Sequence, residues 1–202
     1  MILGSHNSWS YLRPSKWYLR PLAFTARCQR KDIRTQYSLG VRCFDLRIRT
    51  DKDGNPRVRH GLFQYDITPC QLAEHLAWLN THTDVCIRLI HEVRTKRQYT
   101  PTAIAGFQEF CHYALPTFPN IRFWCFRNLY NWLPDFPPSV GCAAALPQPS
   151  PDPSCLEKYS SVCPPRIIDD WLPILYARLH NRKILQQGTD KDILLIDFAD
   201  IQ

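Results

Sequence analysis

Gly40-Val41-Arg42-Cys43-Phe44-Asp45-Leu46-Arg47 is the stretch on which the reading of this chain turns. From Val41 to Arg49 the side chains alternate with a period of two, the repeat of a β-strand. Phe44, Leu46 and Ile48 make one face; Cys43, Asp45, Arg47 and Arg49 make the other. An apolar face backed by a carboxylate and a guanidinium marks a strand packed on one side and chemically equipped on the other. Taken alone, Asp45 and Arg47 serve equally well as an intra-strand ion pair. Gly40 ends a helix expected over Gln29 to Ser38.

Working outward, a first short strand runs from Met1 to Ser5. The turn Asp51 to Pro56 leads into a strand that ends at His60-Gly61. Thr68 caps an amphipathic helix reaching about Asn80, with Leu72, Leu76 and Leu79 on its stripe. In the next strand Val85, Ile87 and Leu89 form the packed face and leave Cys86, Arg88, Ile90 and Glu92 on the other. A helix from about Thr102 to Leu115, a strand over Ile121 to Phe126, a helix near Ile167 to Gln187 and a strand over Asp192 to Phe198 complete the pattern. Residues 134–165 hold nine prolines and read as an extended excursion. Strands alternating with helices, joined by connections too long for hairpins, argue for an α/β fold with mainly parallel strands. About six strands are legible and an eight-stranded barrel usually needs about 250 residues, so the expectation is a small or irregular (β/α) TIM-type barrel. One domain over residues 1–202 is expected.

Twenty-five Lys and Arg against eighteen Asp and Glu give a net charge of +7, which attracts phosphates, acidic lipid surfaces or nucleic acid without choosing among them. Between Trp9 and Ala26, Trp9, Tyr11, Trp17, Tyr18 and Phe24 mix with Arg13, Lys16 and Arg20, as suits a membrane interface, though loop packing explains them equally well. The nine cysteines form no C-x-x-C pair, so neither a zinc site nor a redox motif is indicated. Their odd number points to a reducing compartment; disulfides among Cys142, Cys155 and Cys163 are the minor alternative. No apolar run long enough to span a bilayer and no signal-peptide pattern occurs, so a cytoplasmic monomer is expected.

The ionisable residues sit near strand ends: His6 just past the first, Asp45 and Arg47 near the end of the second, His60 at the end of the third, Glu92 at the end of the fourth and Asp197 on the last. In parallel α/β folds these ends meet on one rim. If the last strand lies beside the first, Asp197 approaches His6. Two imidazoles and a guanidinium suit phosphodiester cleavage by an internal hydroxyl: a neutral ring removes the proton, an imidazolium protonates the leaving oxygen, and the guanidinium holds the phosphoryl oxygens. A carboxylate behind one ring fixes its tautomer. Each residue taken singly also fits a duller role as a cap or a satisfied core group.

Gly4-Ser5-His6-Asn7-Ser8 resembles the first-strand motif of the phosphatidylinositol-specific phospholipases C, the Gly40 to Arg47 stretch resembles their second-strand motif, and His60-Gly61 resembles the element bearing their second histidine. Gln29 and Gln36 also fit. The resemblance implies an irregular α/β barrel and a reaction giving diacylglycerol and an inositol cyclic phosphate. It implies His6 as general base, His60 as general acid, Arg47 on the phosphate, Asp45 organising that group and Asp197 supporting the first histidine. Arg88, Glu92 and Asn7 are the expected substrate-binding residues. Asn7 follows His6 as in the calcium-dependent members, yet Arg47 stands where those enzymes place an acidic ligand. A cation there repels calcium, so no metal or other cofactor is expected. The expected partner is a phospholipid or inositol phosphate, with peripheral contact to a membrane surface and no nucleic acid. Two alternatives stand: a metal-dependent phosphodiesterase of the glycerophosphodiester or sphingomyelinase D type, and an inactive lipid or inositol-phosphate binding module.

Overall fold

The computed structural model describes residues 2–93, 98, 100–126, 171–188 and 193–201. The strands are β1 (Ile2–Ser5), β2 (Cys43–Thr50), β3 (Pro56–His60), β4 (Phe63–Gln64), β5 (Cys86–His91), β6 (Arg122–Phe126) and β7 (Ile193–Ile196). The helices are α1 (Ile33–Ser38), α2 (Pro69–Leu79), α3 (Pro101–Thr117) and α4 (Pro173–Gln187), with a 3-10 helix at Trp17–Thr25. The chain forms two compact units, residues 1–45 with 151–202, and residues 46–150.

In the first unit β1 is parallel to both its neighbours, with Ser5 beside Phe44 of β2 and beside Ile196 of β7. All of β7 is buried, as expected of a parallel strand covered on both faces. Gly4 makes the close approach possible: a Cβ there would stand 2.5 Å from Leu195 Cδ2 and 3.2 Å from Cys43 Cβ. The helix expected from Gln29 begins at Ile33, because the Asp32 side chain accepts from Thr35 N and fixes the start. Gln29 lies outside it and buried. The strand expected from Val41 begins at Cys43. Asn181 of α4 is also buried and ties the chain after β7 in place, donating to the carbonyls of Asp197 at 2.8 Å and Ile201 at 2.6 Å.

In the second unit the later part of β2 pairs antiparallel with β3, with Ile48 opposite Val58. The connecting turn is organised by Asp51, whose Oδ1 accepts from the backbone N–H groups of Asp53 and Asn55. β3 continues as a hairpin into β4, turning at Gly61, whose φ is 60°. A capping box between Thr68 and Gln71 starts α2, which buries Leu72, Leu76 and Leu79. β5 pairs with β2 and runs parallel to β6. Its six residues are all buried, so the face that carries Cys86, Arg88 and Ile90 is covered like the one that carries Ile87 and Leu89. α3 packs tightly on the β2–β3 turn, where Gly106 leaves room for the carbonyl of Gly54.

The fold is mixed α/β as read, but the sheet is mixed as well, because β3 and β4 run antiparallel where mainly parallel strands were expected. The described strands do not close a barrel. The proline-rich 134–165, Cys142, Cys155, Cys163, Asp192 and the first residues of the helix expected from Ile167 lie outside the described residues. Cys28, Cys43, Cys70, Cys86 and Cys111 form no disulfide. Among the described residues no helix is long and apolar enough to cross a membrane.

Candidate active site

Parallel pairing of β1 with β7 positions the candidate residues of the first unit. Ser5 and Ile196 are register partners, so the residues that follow, His6 and Asp197, emerge side by side. His6 N donates to the Ile196 carbonyl at 2.9 Å, and His6 Nδ1 lies 2.7 Å from Asp197 Oδ1. With an ionised carboxylate as partner, Nδ1 carries the proton and the Nε2 lone pair is left for chemistry. Nε2 is 4.0 Å from Asp45 Oδ2, and the His6 side chain keeps 13% exposure, enough for a substrate to reach it.

Asp45 was expected at the end of its strand and instead lies within β2. Because β1 stops opposite Phe44, Asp45 is the first β2 residue beyond that pairing. Its side chain is fully buried, and Oδ2 accepts from Asn7 N at 2.9 Å. Asn7 adopts φ 45°, a left-handed turn that asparagine tolerates well. Ser8 completes the lock: its N–H donates to the Asp45 carbonyl at 3.0 Å, and its Oγ accepts from Asp45 N at 2.8 Å while donating to the Ser5 carbonyl at 2.8 Å. Gln29 donates to the carbonyls of His6 at 3.2 Å and Ile196 at 2.8 Å and accepts from Ala199 N at 3.0 Å. Gln36 donates to the Ser8 carbonyl at 2.8 Å. A run of Gly-Ser-His-Asn-Ser thus folds as a turn whose backbone is held at every step.

In the second unit Glu92 is the hub. It follows β5 by one residue, its N–H donates to the Ile48 carbonyl at 2.8 Å, and its Oε1 accepts from Gly61 N at 2.8 Å. Its Oε2 lies 3.5 Å from Arg47 Nη1, both side chains being buried. Glu92 therefore braces the His60-Gly61 turn and orients Arg47. Burial holds the Arg49 guanidinium below its ordinary value, opposed by the attraction of Glu92. Burial, and then the charge of Arg49, do the same to Arg59, again opposed by Glu92. Burial first, then Arg49, push His91 down to about 4, so it is neutral near pH 7. Arg47, Arg49 and Arg59 grouped around a single carboxylate leave a cationic surplus suited to an anionic phosphoryl group. Arg88 is buried on β5.

The structure thus brings His6, Asn7, Asp45 and Asp197 together in one unit and Arg47, Glu92 and the His60-Gly61 turn in the other. Sequence reasoning singled out Ser8 and Gln29 through the resemblance alone, without their roles as backbone clamps, and missed Asn181. The polar character of Gln29 beside Cys28 was the available signal, but a side chain that satisfies distant carbonyls has no periodicity to betray it.

Residues 6–95 match the family described as phosphatidylinositol-specific phospholipase C, X domain. Over this segment, 90 of the 202 residues, the chain is similar to that family. A variant of the phosphatidylinositol-specific phospholipase C of Staphylococcus aureus aligns over 98% of this chain and 84% of that one, at 16% identity and a TM-score of 0.60. The enzyme of Listeria monocytogenes aligns over 98% and 87%, at 13% identity and a TM-score of 0.54. Another structure of the Staphylococcus aureus enzyme, concerned with modulation of its membrane binding, aligns over 61% of this chain and 46% of its own, at 21% identity and a TM-score of 0.47. In that alignment the chain spans about half the length of its relative. At such identities the likeness speaks to the fold. No curated protein matches this chain.

Proposed function

We propose that this chain is a phosphodiesterase of the phospholipase C type that cleaves a phosphoinositide-like lipid without a metal. The observation that carries the reading is the His6–Asp197 pair, which holds one imidazole with its proton on the buried nitrogen and its lone pair outward. His6 Nε2 removes the proton of an inositol hydroxyl as that oxygen forms its bond to phosphorus. The bond from phosphorus to the glycerol oxygen breaks, His60 protonates that oxygen, and diacylglycerol leaves with an inositol cyclic phosphate behind. Arg47, oriented by Glu92, binds the phosphoryl oxygens as charge builds, Asp45 favours the imidazolium formed at His6, and Arg88 adds a further cation.

Support for a metal-independent reaction comes from Glu92. Both its oxygens are engaged, one by Gly61 N and one by Arg47, so it is poorly disposed to bind calcium, whose site Arg47 also repels. Support for a membrane substrate comes from the 3-10 helix, where Trp17, Tyr18, Leu22 and Phe24 are all more than half exposed beside Lys16 and Arg20. Phosphorus NMR of phosphatidylinositol vesicles incubated with the protein and a chelator tests the reading: a cyclic phosphodiester product is expected. Inertness with chelator and restored turnover with calcium would favour the metal-dependent alternative, and inertness under both conditions the binding module.

A further inference from the structure

The His6–Asp197 pair has a neighbour that the proposed reaction does not use. Cys28, 1% exposed, offers a sulfur that lies with a His6 ring nitrogen and an Asp197 carboxylate oxygen in one group, all three donor atoms within 4.8 Å of one another. The cysteine is held there by its own backbone: Cys28 N donates to Ser10 Oγ at 3.0 Å, and the Cys28 carbonyl accepts from Phe198 N, the residue next to Asp197. Phe198 has φ 49°, a turn that brings its N–H back toward Cys28. Sulfur, imidazole and carboxylate from three distant positions are thus gathered by β1–β7 pairing and two backbone hydrogen bonds.

From this geometry we infer that His6, Cys28 and Asp197 form a site for a thiophilic divalent cation of the zinc class, and that filling it switches the enzyme off. A thiolate, an imidazole and a carboxylate are the donor types zinc takes, and three protein ligands with an open fourth position for water are a common stoichiometry. With bonds of about 2.0–2.3 Å, tetrahedral donors stand roughly 3.3–3.6 Å apart, a side-chain adjustment of about 1 Å from the present arrangement. Hard calcium or magnesium disfavours sulfur and is not the expected occupant. The partly exposed His6 ring gives the ion a way in.

On binding through Nδ1, the Cys28 thiol proton passes to solvent, the single His6 proton moves by way of solvent from Nδ1 to Nε2, and metal–sulfur and metal–nitrogen bonds form with no change of oxidation state. The neutral ring then carries its proton on Nε2, the atom that must accept one in the reaction proposed above. A metal-loaded His6 is no longer a base. The binding claim stands on geometry alone; the inhibition claim rests on the proposed function, so the two need separate readouts.

Cobalt(II) titration of the purified full-length protein reads binding directly, by the near-ultraviolet thiolate-to-cobalt absorption. One equivalent is expected to develop this band in the wild type, with zinc displacing it. Cys28→Ala and His6→Ala should each abolish it, the second variant serving as a check should the buried alanine disturb folding. Loss of even an outer-shell partner weakens a metal site by about 10–100-fold, so loss of a ligand should weaken zinc affinity by at least about tenfold. Zinc should also inhibit lipid cleavage by the wild type, and Cys28→Ala should retain turnover with that sensitivity reduced by a similar factor. A band that survives both substitutions, or the absence of any one-equivalent band, overturns the site. A band that behaves as expected on a protein inert to lipid upholds the site and sinks only the proposed reaction.

Discussion

His6 Nδ1 and Asp197 Oδ1 stand 2.7 Å apart although 191 positions separate them in the chain. The contact follows from two parallel four-residue strands whose last register partners are Ser5 and Ile196. Asp197→Asn keeps the size of the side chain and removes the charge that stabilises the imidazolium and fixes the ring's tautomer. The expected outcome is a fall in kcat on the order of 10²–10⁴ with KM little changed and the unfolding temperature retained. Steady-state kinetics on vesicles beside a thermal melt check it; undiminished kcat removes His6 as the supported base.

Gln29 should matter for stability beyond its size. Its amide spans β1, β7 and the turn after β7 with hydrogen bonds to His6 and Ile196 carbonyls and from Ala199 N. Gln29→Leu removes all three bonds, at a cost of about 1–3 kcal/mol for each polar group not satisfied otherwise. Urea denaturation should report a loss of roughly 2–5 kcal/mol in all. A loss under about 0.5 kcal/mol would mean that water replaces the amide without penalty.

Gly106 lets α3 lie close against the β2–β3 turn. A Cβ at Gly106 would lie 2.3 Å from the Gly54 carbonyl oxygen and 2.8 Å from Thr50 Cγ2. The nearest clash is with backbone, so relief requires the helix or the turn to move. Gly106→Ala is therefore expected to destabilise by about 1–3 kcal/mol despite the better helix propensity of alanine. An alanine variant as stable as the wild type, by chemical denaturation, would refute this packing.

His91 gives a pH dependence of defined sign. In the folded chain burial and Arg49 push it down to about 4, whereas the unfolded chain binds the proton near the ordinary value of about 6.5. The unfolded state thus binds more protons between these values. The stability reckoned to this group is intact above about pH 6.5 and is lost as pH falls toward 4, by about 3 kcal/mol. His91 stacks on Phe107 with ring centroids 4.7 Å apart, so His91→Phe keeps an aromatic at that position and should flatten this part of the stability profile. An unchanged slope between pH 6.5 and 4 would assign the dependence to other groups.

Trp17, 75% exposed on the 3-10 helix, is expected to dominate vesicle binding. Trp17→Ala should lower partitioning onto phosphatidylinositol-containing vesicles by roughly tenfold, in line with about 1.5–3 kcal/mol for a buried large apolar side chain. Activity on a soluble phosphodiester should stay the same. Sedimentation with vesicles separates the two effects, and equal partitioning of variant and wild type would exclude this surface.

Much of the candidate site was legible because strand periodicity is a local property. Alternation from Cys43 to Arg49 fixed which side chains accompany Asp45 and Arg47, and the Gly-Ser-His-Asn-Ser run marked the turn after β1. Thr68 announced the start of α2, since a capping side chain acts on residues only two or three positions away. By contrast, β3 ran antiparallel against expectation because a short turn such as Asp51 to Asn55 can send a strand back beside its predecessor, and the local pattern of β3 is the same in either direction.

The sequence by itself determined the element types, the polar face of β2 and where the candidate ionisable residues stand along each element. These depend on spacing along a few consecutive positions. Only the tertiary structure decided that Asp197 backs His6, that Cys28 joins them, that Glu92 takes Arg47 and Gly61, and that Gln29 bridges two strands. Each is a contact across a large sequence separation. Its geometry is set by strand register and packing, on which the local pattern of either partner carries no information.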